Sequence, residues 1–244
     1  MWFLLGSQDI KLRYRRSTIG PFWLTISTAV TIYTMGFLYS YLFHVNIDTY
    51  FPYLASGIIC WTFISTLIQE SSSALIESIT YIKNQSSYVS IFLMRLILRN
   101  CIVLFHNLLV FIPIAIYLKL GMNWQTFLII PGLFILCVNA FAWGGIIAIL
   151  GTRYRDFDQI IKSLIQVAFF TTPVMWLPKL LPTQYHWIIT INPFAQYLAL
   201  IRNPLLGQSF ELSTIITVGI LSFVGLGLFS LCINRYKHRI VFWL

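Results

Sequence analysis

The chain has 244 residues, of which 58% are hydrophobic, 17% aromatic and only 9% charged, with a formal net charge of +9. Soluble domains carry roughly 25% charged residues, so this composition excludes a water-covered globule and describes an integral membrane protein. It also excludes a nucleic-acid binder, because the cations are spread over the ends of apolar segments instead of forming one basic surface.

Taken from the N-terminus, Met1–Leu5 is apolar but short and runs straight into charge, the reverse of the order in a secretory signal. Lys11, Arg13, Arg15 and Arg16 follow just ahead of Gly20-Pro21-Phe22-Trp23 and a long apolar run. A helix needs about 20 apolar residues to cross the hydrocarbon core. Spans are expected over 22–43, 53–75, 96–118, 127–150, 160–177 and 212–233, the second becoming wetter at Gln69, Glu70 and Ser71, and the fifth short and stopped by Pro178. The connections 44–52 and 119–125 read as short loops. Residues 77–95 form a polar linker with room for a short helix lying on the membrane face. Residues 178–207 are apolar but broken by Pro178, Pro182, Pro193 and Pro204, so the expectation is two short re-entrant helices whose backbone is covered by protein. The fold class is an all-α membrane protein of about six transmembrane helices, a single domain with no soluble domain attached.

The charge distribution tests this layout, because cytoplasmic loops are rich in Lys and Arg. Lys11, Arg13, Arg15, Arg16, Lys83, Arg95, Arg99, Arg153, Arg155, Lys162, Arg235, Lys237 and Arg239 fall on the N-terminal side, leaving only Lys119, Lys179 and Arg202 opposite. Both termini are therefore expected in the cytoplasm.

Catalytic chemistry finds no support. There is no Gly-Lys-Ser/Thr to cradle a nucleotide and no HExxH, and His44, His106, His186 and His238 are far apart. Cys60, Cys101, Cys137 and Cys232 lie in apolar surroundings without CxxC spacing and read as reduced, buried thiols. Polar residues inside spans (Glu70, His106, Asn107, Asn139, Gln166) read first as interhelical hydrogen-bond partners, with a polar translocation path as the alternative. Glu70 has no evident cationic partner in the sequence. Two aromatic sets stand out: Tyr33, Phe37 and Tyr41 in the first span, and Phe169, Phe170, Trp176 and Tyr185 in and after the fifth. They fit either an interfacial belt or a wall on which sugar rings stack. Between the fourth and fifth spans, Arg153-Tyr-Arg155-Asp156-Phe157 is more than a topological signal. Asp156 suits the N-cap of the next helix, which leaves the two arginines to be explained.

Five blocks occur in order: Asp9–Trp23, Arg153–Phe157, Phe170-Thr-Thr-Pro-Val174, Trp187-Ile-Ile-Thr-Ile-Asn-Pro-Phe194 and Tyr236-Lys-His-Arg-Ile240. Together they resemble the permease subunit of ABC-2-type exporters, in the polysaccharide branch that handles O-antigen, capsule or teichoic acid. The resemblance covers nearly the whole chain. It implies a homodimer around a channel in the cytoplasmic (inner) membrane, with two separate ATPase subunits that bind ATP and Mg, and no cofactor in this chain. It implies an interfacial helix over 1–20 that, with Glu77 and Lys83 of the linker, meets the ATPase; Asp9, Lys11, Arg13, Arg15 and Arg16 are its coupling residues. It places Arg153, Arg155 and Asp156 at the channel entrance, where arginine forks meet an anionic substrate head. The aromatic sets become glycan contacts and 178–207 an external gate. An ABC-2 exporter of a smaller lipid or drug, and a membrane-embedded glycolipid enzyme, are the alternatives.

Overall fold

The computed structural model describes residues 2–13, 15, 19–20, 22–84, 89–121 and 123–244; Arg16 and the side chains of Arg13, Lys83 and Asn84 lie outside the described residues. The described secondary structure is all helical. Among the described residues five helices are long and apolar enough to cross a membrane: α2 (Phe22–Leu42), α3 (Ile47–Ser73), α5 (Val89–Tyr117), α6 (Ile129–Arg153, led by a 3-10 turn Trp124–Leu128) and α10 (Leu212–Tyr236). Shorter elements are α1 (Trp2–Arg13), α4 (Ile79–Asn84), α7 (Phe157–Thr171), α8 (Trp187–Ile191), α9 (Pro193–Leu205) and α11 (Ile240–Trp243).

The fifth expected span needs correction. Its helix, α7, starts earlier than expected and stops at Thr171, six residues before Leu177. At 15 residues it rises about 22 Å, short of the roughly 30 Å core. The reason is local: Thr172 is extended (φ −95°, ψ 139°) and precedes Pro173, and a residue before proline is pushed out of the helical region. The second span begins six residues earlier than expected, with Asn46 capping α3 by accepting from the Asp48 N–H at 2.8 Å. Arg95 sits inside α5, not in the linker, which instead carries the short helix α4.

α3 is the most buried of the five long helices and packs against α2, α5, α6, α7 and α9. Two glycines of α6 let it approach: a side chain at Gly144 would meet Ser71 Oγ, and one at Gly151 would strike the Ser72 carbonyl. α10 packs on α6, where Gly225 makes room for Trp143, whose indole N–H donates to Leu221 O at 3.2 Å. Asn139 donates to Ser222 Oγ (2.6 Å) and accepts from Tyr197 Oη (2.9 Å), tying α6, α10 and α9 together. Thr28 Oγ1 contacts Asn107 Oδ1 at 3.4 Å across α2 and α5. For Asn107 and Asn139 the interhelical hydrogen-bond reading therefore holds. The expected re-entrant segment contains two 3-10 turns, Pro178–Leu180 and Thr183–Tyr185, then α8 and α9, and α9 buries Ala195, Gln196, Leu198, Leu200, Ile201, Arg202 and Pro204 within the bundle.

The two ends of the bundle are built from different parts. One end gathers α1, α4, α11, the last turns of α3, α6 and α10 and the start of α5, around Leu75, Ile82, Phe92, Leu93, Ile149, Phe229 and Ile240. The described N- and C-terminal helices thus share an end, which we call the terminal end. The start of α3, the break after α7 and α9 meet at the other.

Candidate functional site

At the terminal end, Gly6 of α1 lies against Leu98 and the Arg95 carbonyl of α5, close enough that a side chain there would crowd both. That approach brings Asp9 under Arg95, whose Nε and Nη2 donate to the two carboxylate oxygens at 2.6 and 2.5 Å. This is the bidentate fork that an arginine guanidinium favours. Arg99, one turn further on, stands 3.7 Å from Asp9 and donates through Nη2 to Glu70 of α3 at 2.8 Å. Asn100 Nδ2 donates to the same Glu70 oxygen at 2.7 Å. Carboxylates and guanidiniums alternate from α1 through α5 to α3. The expectation that Glu70 lacks a cation is overturned: Arg99 lies 29 residues away in sequence and one helix away in space.

Beside this chain of charges is a small polar recess lined by Ala74, Glu77, Ser78, Phe92, Arg95, Leu96 and Arg99. Arg95 Nη1 and Arg99 Nε are buried there without a hydrogen-bond partner among the described residues. Glu77 accepts from Ser73 Oγ at 2.8 Å. The coupling residues expected from sequence thus divide. Asp9 turns inward to α5, Lys11 and Arg15 are exposed, and Arg16 and the side chains of Arg13 and Lys83 fall outside the described residues.

Arg153, Arg155 and Asp156 are all exposed at this end. Arg153 lies over the rings of Tyr154 and Trp243, at 5.1 and 5.3 Å from their centroids. Asp156 occupies the N-cap position of α7 as expected, but its side chain makes no capping hydrogen bond. The carboxylate that does the joining is Asp158, two residues on. It accepts from Ser72 Oγ of α3 and from Lys162 Nζ, each at 2.6 Å. Sequence reading missed it because Ser72 is 86 residues away.

α7 is the most amphipathic of the helices, and it has three faces. Ile161 and Ile165 are buried against the core, while Ile160, Leu164 and Val167 are exposed and apolar. The third face carries Gln159, Lys162, Ser163 and Gln166, all exposed and spaced at three and four residues, so they form one stripe. α2, on another flank of α3, carries a shorter exposed stripe of Ser27, Thr31 and Thr34. The aromatic sets stay separate: Tyr33 packs on Phe51 and Phe37 on Tyr41 along α2, while Phe169 packs on Trp61 and Phe170. No ring contact joins the sets among the described residues. Phe37, Tyr41, Phe170 and Tyr185 are largely exposed, and Trp176 donates its indole N–H to Phe170 O at 3.2 Å.

Among the described residues no group of three or more His, Cys, Asp or Glu could hold a metal ion. Comparison with known proteins adds a family. The profile described as ABC-2 type transporter matches residues 2–206. Two curated proteins of Klebsiella pneumoniae, each named O-antigen export system permease protein RfbA, are 26% and 24% identical over 97% of this chain and 92% of their own length. A protein of the same name from Myxococcus xanthus is 20% identical over 70% of this chain and 66% of its own.

Proposed function

The chain belongs to the ABC-2 type transporter family, and from that premise we propose that it is the pathway-forming membrane subunit of an exporter that moves a lipid-linked polysaccharide, of O-antigen type, out across the cytoplasmic membrane. The names of the Klebsiella and Myxococcus relatives support the substrate class. ATP is hydrolysed, in this reading, by two separate ATPase subunits docked at the terminal end. The excess of lysines and arginines at that end supports a cytoplasmic orientation for it.

The observation that carries the pathway reading is the stripe Gln159, Lys162, Ser163 and Gln166 on α7. Ionisable and amide side chains at membrane depth face a bundle interior or a water-filled cavity, since facing lipid is expensive. In a single chain all four of these side chains are exposed, with Lys162 paired to Asp158 of its own helix. A second copy, placed with its own α2 and α7 across from the first, encloses both stripes and forms an aqueous route. Arg153, Arg155 and Lys162 then lie where an anionic head of the substrate enters, and the exposed aromatics flank the route of the glycan.

Purification of the full chain from its native membrane tests this. A complex with a P-loop ATPase and two permease copies is expected; a stable monomer with no ATPase overturns it. Lys162→Cys placed across a two-fold axis is expected to cross-link to itself through a flexible bis-maleimide, and failure in the intact complex overturns the paired-stripe arrangement.

A further inference from the structure

At the end of the bundle opposite the termini, the chain leaves α7 and runs without helical hydrogen bonds through Pro173, Val174, Met175 and Trp176. Backbone carbonyls at membrane depth need donors from within the protein. Here all four have them. Arg202 of α9 donates through Nη1 to Pro173 O (2.6 Å) and through Nη2 to Val174 O (2.9 Å). Tyr50 Oη of α3 donates to Met175 O (2.8 Å). Tyr53 Oη shares its proton between Pro173 O (3.0 Å) and Trp176 O (3.2 Å).

Arg202 is the centre of this clasp. It is 4% exposed, lies 4.0 Å over the Tyr53 ring and pairs with no carboxylate among the described residues. Its Nε has no hydrogen-bond partner among the described residues. Gly57 is required for the fit, because a side chain there would collide with Arg202 Nη2 and Val174 O. Among the described residues the charge rests on carbonyl dipoles and the Tyr53 ring face. If Pro173 and Val174 moved away, the guanidinium would need water in their place.

We infer that Arg202 is a positioning residue that locks α7 to α3 and α9, so that α7 swings only when Arg202 exchanges the Pro173 and Val174 carbonyls for water. The inference rests on the reading that α7 lines the pathway, because only then does the swing matter for transport. Arginine is needed for its two forked donors; a lysine keeps the charge but reaches the carbonyls as a single point.

Cys60 is a native reporter, fully buried on α3 one turn beyond Gly57. The full chain, with the subunits it carries, is placed in lipid nanodiscs and treated with a charged maleimide, and peptide mapping scores Cys60 against Cys232. Cys60 is expected to be protected in the natural chain, to label at least about tenfold faster in Arg202→Gln, which loses two charge-assisted hydrogen bonds, and to fall between the two in Arg202→Lys. Tyr53→Phe, which keeps the charge and the ring, is expected to label faster than the natural chain and covers the case in which Arg202→Gln does not fold. Natural-rate protection of Cys60 in folded Arg202→Gln, or in Tyr53→Phe where the former is not recovered, overturns the clasp. The labelling is read without substrate, so failure of the exporter reading shows as absent glycan export by the natural complex, with the Cys60 result intact.

Discussion

The two ends of the bundle solve the same problem, holding helices together where regular structure stops, with opposite chemistry. The terminal end uses matched charges: Asp9 with Arg95, Arg99 with Glu70 and Asp158 with Lys162. The other end uses side-chain donors on bare backbone, with Arg202 as a cation that has no carboxylate beside it among the described residues. The exposed Asp158–Lys162 pair can part and re-form, because water and salt replace what each partner loses, and the partly buried pairs of Asp9 and Glu70 are screened less but still meet opposite charge on parting. A buried cation resting on carbonyls has no such substitute. One end is built to be adjusted and the other to be held.

The comparison breaks first at its stiff end. Arg202→Gln leaves the buried Val174 carbonyl without its donor and Pro173 O with Tyr53 alone, at about 1–3 kcal/mol for the orphaned group, and is expected to lower thermal stability in detergent more than any single change at the terminal end. Gly57→Ala is expected to act on the same contact, so the double variant should lose little more than either alone; simple additivity would show that the two residues do not share a clasp. A smaller effect is expected for Asp9→Asn. It removes a bidentate pair whose side chains are 15–19% exposed, and the loss of about 1–2 kcal/mol should free α1, read as faster proteolysis near Arg13 with the bundle intact. High salt should mimic part of that effect and leave the Arg202 contact unchanged. Arg155→Ala is the mildest. The side chain is exposed and no ion pair to it is seen among the described residues, so stability should stay within about 0.5 kcal/mol while surface glycan falls; unchanged glycan would remove Arg155 from the entrance.

Hydropathy located α2, α5, α6 and α10, because a long apolar run near 20 residues has one stable outcome in a bilayer. It misplaced the end of α7, where the competing signal was the Thr172-Pro173 pair inside a run that still looked apolar to Leu177. Arg202 entered only as a cation of the end opposite the termini, and nothing in the local sequence reveals that carbonyls 28 and 29 residues away accept from it. Glu70 with Arg99, and Ser72 with Asp158, were hidden for the same reason: local composition states the cost of burying a group but not which distant partner offsets it. The polar stripe on α7 could have been found, since Gln159, Lys162, Ser163 and Gln166 stand at helical spacing in the sequence.

α3 takes part at both ends. Over 27 residues it rises about 40 Å, longer than the hydrocarbon core, with Tyr50 and Tyr53 at one extremity and Glu70 and Ser72 at the other. Gly144 and Gly151 of α6 close on its last turn, at Ser71 and Ser72 beside Glu70. A push on Glu70 would therefore bear on α6 together with α3, and α3 would carry it to Tyr50 only as far as the helix stays rigid.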